Sequence, residues 1–435
     1  MKTLELEELN FEEKRIQPLL IFSCLAIAIL LFCRDALSIS INKTFFTVII
    51  LFTTCFINIP NAIYYMFFLF PLGAGLPSNY FILFFLMKFL INSTLEQENY
   101  KISFKKTIAV VCLTIFVLVQ NICFKYTGMY HTSLALGYIL IYYMTSFQGK
   151  PDLRRMLYFS IVAIFIICFI MLFATLKEHS FTDLLDGTLR FAGSAQFGVR
   201  ENMRLLMDPN YLSFYALSAL TSLYILIKKK MPFITTVVFI TLVAFSCFVA
   251  LLALSRAYIL SLFVFVLLAM LAGDSNFKGT FRNIFAVVFL VAIAYFAVKS
   301  FYPQLLDTIG ERFQGDDMAT GNGRTTVIAK FWSEFTKTVI SFIFGLGIFE
   351  INVHCMPLQI IFGLGLMGTI FWIMFYIECI NDLNLDVKNK KYYAYIPFLT
   401  LLFMSASIPI AQSTVIMFLF VIAMYASKLA NQEES

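Results

Sequence analysis

Apolar runs of about 15 to 22 residues recur from one end of this 435-residue chain to the other, and no other feature constrains its fold as much. At 1.5 Å of rise per residue each run suits a hydrocarbon core near 30 Å. In lipid every backbone N–H and C=O must find its partner inside the segment, so runs of this length fold as helices. The spans fall near 16–33, 44–58, 60–76, 79–91, 107–124, 130–147, 156–176, 209–227, 232–253, 257–272, 283–301, 356–378, 394–409 and 412–427. The expected fold is therefore all-α: a polytopic transmembrane bundle of about 12 to 14 spans, the second to fourth being short enough for half-helices. Composition agrees, since 60% of residues are hydrophobic and only 13% charged, with 51 Phe, too few charges to cover a water-exposed surface. Residues 1–435 read as one membrane domain, with no long linker and no internal repeat. The first run lacks a small-residue cleavage site after it and is expected to be an anchor.

The charges give the orientation. Lys14 and Arg15, Lys88 with Lys101, Lys105 and Lys106, Lys150 with Arg154 and Arg155, Lys228 to Lys230, and Lys388 to Lys391 share one side if every run crosses. By the positive-inside rule that side is the cytoplasm. Both termini are then cytoplasmic, and two long connections, 177–208 and 302–355, face the other way. Against the rule, Arg190, Arg200, Arg204, Arg256, Arg312 and Arg324 fall on the outer side. Arginine offers a planar fork that holds phosphate or carboxylate in two hydrogen bonds, whereas a solvated anchor is as well served by lysine. The outer arginines thus point to an anionic ligand, although each one singly is as well explained by Glu201, Asp208, Glu311, Asp316, Asp317 or lipid headgroups.

Short motifs sharpen that site. Arg200 and Arg204 precede Asp208-Pro209-Asn210, in which Asp208 can cap a helix begun by Pro209. Four residues apart, the two arginines share a face if the segment is helical. Ser255-Arg256 interrupts an apolar run that otherwise extends from Met231 to Ala272, which reads as a tight outer turn between two spans. Gly321-Asn322-Gly323-Arg324 is followed by Trp332, Gly345-Leu-Gly347 and Glu350. His354 then stands at the entrance of a span carrying Gly363, Gly365 and Gly368, small residues that permit close helix packing. That setting makes His354 a candidate acid, base or phosphate partner, and His131 and His179 lack it. The sequence has no phosphate-binding GxxxxGK[ST] loop and no GxGxxG after a strand, so nucleotide chemistry is not expected. The nine cysteines fall singly, with no CxxC pair, so neither a metal site nor a disulfide framework is expected.

In this order and spacing the motifs from Arg190 to Thr369 resemble the O-antigen ligase and polymerase family of bacterial membrane glycosyltransferases. The N-terminal half is similar in hydropathy only. The ligase signature, His then an amide or hydroxyl residue, then nine residues to Gly-x-x-Gly, holds at His354, Gly365 and Gly368 but meets Cys355 at its second position. The resemblance implies transfer of a glycan from a polyprenyl diphosphate at the outer face of the cytoplasmic membrane, without nucleotide, metal or other cofactor. Arg200, Arg204, Arg256 and Arg324 would hold the diphosphate, with Asp208, Asn210, Glu350, Gly365 and Gly368 in support. His354 would act with Arg324 in catalysis, either orienting and deprotonating the acceptor hydroxyl or binding phosphate while Glu350 or Asp208 serves as base. Expected partners are the lipid-linked oligosaccharide, membrane lipids, and a chain-length regulator and flippase of the same pathway; nucleic acid is not expected. Polymerisation of repeat units is favoured over ligation to lipid A core. A flippase or transporter is the rival class, disfavoured because charges avoid the mid-span regions.

The orientation has a direct readout. Impermeant thiol reagents on cells should label cysteines introduced at Asp317 and Thr182 and spare those at Lys229 and Lys390. The reverse pattern would put the arginines in the cytoplasm and remove the argument for an outer anion site.

Overall fold

The structure, a computed structural model, describes residues 16–123, 130–149, 151–185, 209–272, 324–351, 353–383, 392–408 and 413–432, with Ala411 and a few positions between 299 and 310. All regular structure among them is helical. We number the helices α1 Pro18–Leu31, α2 Lys43–Phe56, α3 Ile59–Leu69, α4 Ser78–Leu95, α5 Phe104–Cys123, α6 Tyr130–Ser146, α7 Leu153–Leu176 and α8 Phe181–Leu185. They continue as α9 Pro209–Lys228, α10 Phe233–Leu252, α11 Arg256–Leu271, α12 Arg324–Thr336, α13 Val339–Phe344, α14 Met356–Asp382, α15 Ile396–Ser405 and α16 Thr414–Asn431. Eight of the described helices are long and apolar enough to cross a membrane, and four shorter apolar ones join them. The protein is an all-α polytopic membrane protein. The expected span 283–301 lies outside the described residues.

Two short-run elements form the centre. Helix α3 is buried along its whole length, as is α16, and neither presents a lipid face. Phe67 meets Phe418 and Tyr425 edge-on at centroid distances of 5.4 and 5.5 Å, and Phe70 stacks on Phe418 at 3.9 Å. Such arrangements suit the ring quadrupoles and lock the pair in one register. Around them α2, α4, α5, α10 and α11 turn bare apolar side chains outward, including Phe52, Met87, Ile115, Phe233 and Phe263. Lipid covers such surface as readily as protein does.

Hydrogen bonds tie together the helix ends that the charge rule assigns to one side. Lys101 N donates to Ser146 O (2.9 Å) and Gln148 N to Asn99 O (2.7 Å). Arg154 Nη2 donates to Lys229 O (2.8 Å), and Lys229 Nζ to Gln432 O. Gln17 exchanges bonds with Asn58 and Asn61, and Asp152 N donates to the Tyr64 hydroxyl (2.7 Å). We call this the basic end. Lys106, expected to be a solvated anchor there, is fully buried. Its ammonium reaches Asp382 (2.8 Å), Thr145 (2.7 Å), Ser146 (2.9 Å) and the Tyr142 carbonyl (3.3 Å), pinning the start of α5 to the ends of α6 and α14. A charge so placed is stable only because every proton has an acceptor. A second buried pair, Arg34 with Asp35 (2.6 Å), closes α1 in a π-helical turn.

The Lys106 pair predicts an asymmetry. Asp382→Ala strands a buried ammonium and should cost about 3–5 kcal/mol. Arg155→Ala, which breaks a one-third exposed pair with Asp152, should cost under about 1 kcal/mol. Thermal unfolding of the two variants in detergent measures the difference; equal midpoints would deny the pin its role.

Candidate functional site

At the other end of the bundle the chain must cross from α10 to α11 and from α13 to α14. The run from Met231 to Ala272 does break at Ser255-Arg256, with Leu254 in a left-handed conformation (φ +48°). Ser255 caps α11 through a bond from Tyr258 N (3.3 Å), and its hydroxyl also donates to Asn210 Oδ1 (2.7 Å) in the first turn of α9. Asn210 and Ser255-Arg256, two sequence-predicted elements, are thus in one place. Arg256 is the first residue of α11, and Arg324 is the first described residue of α12; both are half-buried. Arg190, Arg200, Arg204, Asp208 and Arg312 lie outside the described residues.

The glycine motifs meet as well, in a manner that the packing argument did not foresee. Gly365 does not serve helix-on-helix contact; it breaks α14, with φ +68° and ψ −179°, a conformation open essentially to glycine alone. The carbonyls of Phe362 and Gly363, whose helical partners would lie past the break, accept instead from Leu346 N (2.8 Å) and Gly347 N (3.1 Å). Gly345, at φ +81°, sits directly against Gly365: a Cβ on either would fall 2.4–2.5 Å from the other's backbone nitrogen. Gln120, near the end of α5, completes the clasp. Its Nε2 donates to Gly363 O (2.7 Å) and Phe344 O (3.1 Å), while its Oε1 accepts from Ile348 N (3.2 Å). Gly368 alone plays the expected packing role, with the Phe116 ring of α5 against it.

The clasp sets the loop that holds His354. Gln359, fully buried, donates to Ile351 O (3.1 Å) and accepts from Ala411 N (3.1 Å), fixing that loop to the segment before α16. Phe335, Ile351, Val353 and Phe362 form a small separate core beneath it. His354 is half-buried just before Cys355 and the first turn of α14, and Glu350 is exposed in the preceding turn. Among the described residues no hydrogen bond or ion pair joins Arg256 or Arg324 to His354 or Glu350.

Sequence reasoning passed over three residues here. Gln120, beside Asn121, and Gln359 were each visible as amides within apolar runs. His131, set aside for want of a setting, is buried with its ring 4.2 Å from that of Phe349, in the His354 loop; no local signal could have linked positions so far apart. On the same expected side, a reciprocal cap opens α8: Ser180 N donates to Asp183 and Asp183 N to Ser180 Oγ. Hydrogen bonds from the Ser180 hydroxyl and then the Ser180 backbone N–H hold the Asp183 carboxyl below the ordinary carboxylate range.

No protein-family profile matches the chain, and no curated protein sequence matches it either. Among the described residues no group of three or more His, Cys, Asp and Glu is placed to hold a metal ion.

Gly365→Ala should cost about 1–3 kcal/mol from backbone strain alone, and more through the clash with Gly345. Gln120→Leu, which leaves three backbone groups without this partner, should cost about 1–3 kcal/mol. Melting in detergent reads both; a Gly365→Ala protein as stable as the parent would mean the break is not held as described.

Proposed function

We propose that the protein is a metal-independent membrane glycosyltransferase that takes its glycan from a polyprenyl diphosphate, at the arginine end of the bundle. The observation that carries this reading is the placement of Arg256 as the opening residue of α11, directly after the Ser255 hydroxyl that bonds Asn210. A helix N-terminus carries positive partial charge and disfavours a cation by about 0.3–1 kcal/mol. A bound anion reverses the sign, since the N–H groups and the guanidinium then act on it together. A diphosphate leaving group fits, because its charge grows as the bond to the sugar breaks.

In this scheme an acceptor hydroxyl attacks the anomeric carbon, the carbon–oxygen bond to the diphosphate breaks, and the polyprenyl diphosphate departs with the electron pair. The hydroxyl proton passes to His354, or to Glu350 or Asp208 if His354 binds phosphate instead. The rigid clasp under the His354 loop supports a positioned base, as general-base catalysis requires. We place the site at the outer face of a bacterial cytoplasmic membrane, with both termini cytoplasmic. Polymerisation of one lipid-linked repeat needs a single kind of substrate, whereas transfer to lipid A core requires a second acceptor surface; with Cys355 where ligases carry an amide or hydroxyl, we favour the polymerase. A transporter is the weaker reading. Transporters use helix breaks to expose half-helix ends to substrate, but here the break in α14 is filled by the Gly345–Ile348 backbone and Gln120.

Purified protein given one lipid-linked oligosaccharide repeat and no other acceptor should produce a ladder of longer lipid-linked glycans. His354→Ala should lower turnover by about 10²-fold or more with donor binding retained, and Arg256→Lys should stay impaired because a lysine cannot supply the fork. Full product formation by both Arg256→Ala and Arg324→Ala would overturn the anion site. Transfer only after lipid A core is added would replace polymerase by ligase.

A further inference from the structure

A cavity of about 690 Å³ lies at the opposite, basic end, lined by none of the described residues of the proposed transfer site. It exists because α4 outruns its neighbour. Lys88 Nζ reaches Cys55 O (3.4 Å) in the last turn of α2, and α4 then continues to Leu95 past the end of that helix. The space beyond is walled by Asn58 at the start of α3 and by Phe147–Gly149 after α6. Met87, Ile91 and Leu95 line it and are more than half exposed, so one flank is apolar and open to lipid. Volume and mixed lining are those of a site for one amphiphile.

Among the described residues, Lys88 and Glu96 are the charged side chains that line it. The structural role of Lys88 is to cap the α2 carbonyls, but 3.4 Å is a long bond, and among the described residues it is the one hydrogen bond of an ammonium with three protons. Glu96 is exposed and accepts from Asn99 Nδ2 (2.8 Å), with one carboxylate oxygen so used. The two charges are eight positions apart, about 12 Å along a helix, with Lys88 on the membrane side. A lipid phosphate on Lys88 and a primary ammonium on Glu96, two charge-assisted bonds of about 2.8 Å each joined by a two-carbon tether, cover a gap of that order once the side chains extend. Among the described lining residues the balance of one cation and one anion suits a zwitterion rather than an anionic headgroup.

We propose that this cavity binds a single aminophospholipid from the leaflet at the basic end, phosphate on Lys88, ammonium on Glu96 and acyl chains along Leu51, Phe84 and Met87. The test is native mass spectrometry of the detergent-purified full chain, titrated with phosphatidylethanolamine, phosphatidylcholine and phosphatidylglycerol of identical acyl chains. Phosphatidylethanolamine should be retained about tenfold better than either competitor, the scale of one charge-assisted bond. Glu96→Gln, at an exposed position that folding does not depend on, should erase the preference over phosphatidylcholine. Lys88→Gln should weaken phosphatidylethanolamine about tenfold. Equal retention of the three lipids, phosphatidylglycerol ahead of phosphatidylethanolamine, or an unchanged preference in Glu96→Gln would each overturn the assignment.

Discussion

Backbone polar groups have no water to turn to inside a bilayer, and the break in α14 brings that constraint to a point. Ending a helix at Gly365 frees carbonyls at membrane depth, and the structure satisfies them with Leu346 N, Gly347 N and Gln120. One side-chain amide thereby joins three stretches of chain: the end of α5, the end of α13 and the broken helix. The rest of the arginine end follows from this joint, because the loop that leaves it at Ile348 carries Glu350 and His354 and returns at Cys355 to begin α14.

The same helix pair is fastened a second time. Lys106 and Gln120 are fourteen residues apart on α5, about 21 Å of helix, and each meets α14, one at Asp382 and the other at Gly363. An ion pair holds the basic end and an amide clasp holds the other. Both are buried polar contacts with their hydrogen bonds met, so they specify register where apolar packing against lipid-like surfaces does not. With α5 and α14 fixed at two heights, the His354 loop inherits a defined position.

The two ends then differ in chemistry. At one end Arg256 opens α11, where helix dipole and guanidinium would act together on the proposed anion. At the other, Arg154, Lys229 and Lys106 are spent on helix ends, while Lys88 faces a lipid-side cavity. The proposed transfer reaction and the proposed lipid site draw on opposite ends and stand or fall separately.

The sequence by itself determined the all-α membrane fold and where the apolar runs begin and end, because hydropathy over twenty residues is a local quantity. It also located the Ser255-Arg256 turn, where polar residues interrupt an apolar run. The arginine set was legible in part: Arg256 appears at a helix start and Arg324 within α12, while Arg200, Arg204 and Asp208 fall outside the described residues. Only the tertiary structure decided that Gly365 breaks a helix rather than packing one, that His131 belongs beside Phe349, and that Lys106 is a buried pin instead of a solvated anchor. Each of those depends on a partner more than two hundred residues away or on a backbone angle that only a neighbouring segment can hold. Local periodicity carries no record of such partners, since the free energy that selects them arises when the helices meet.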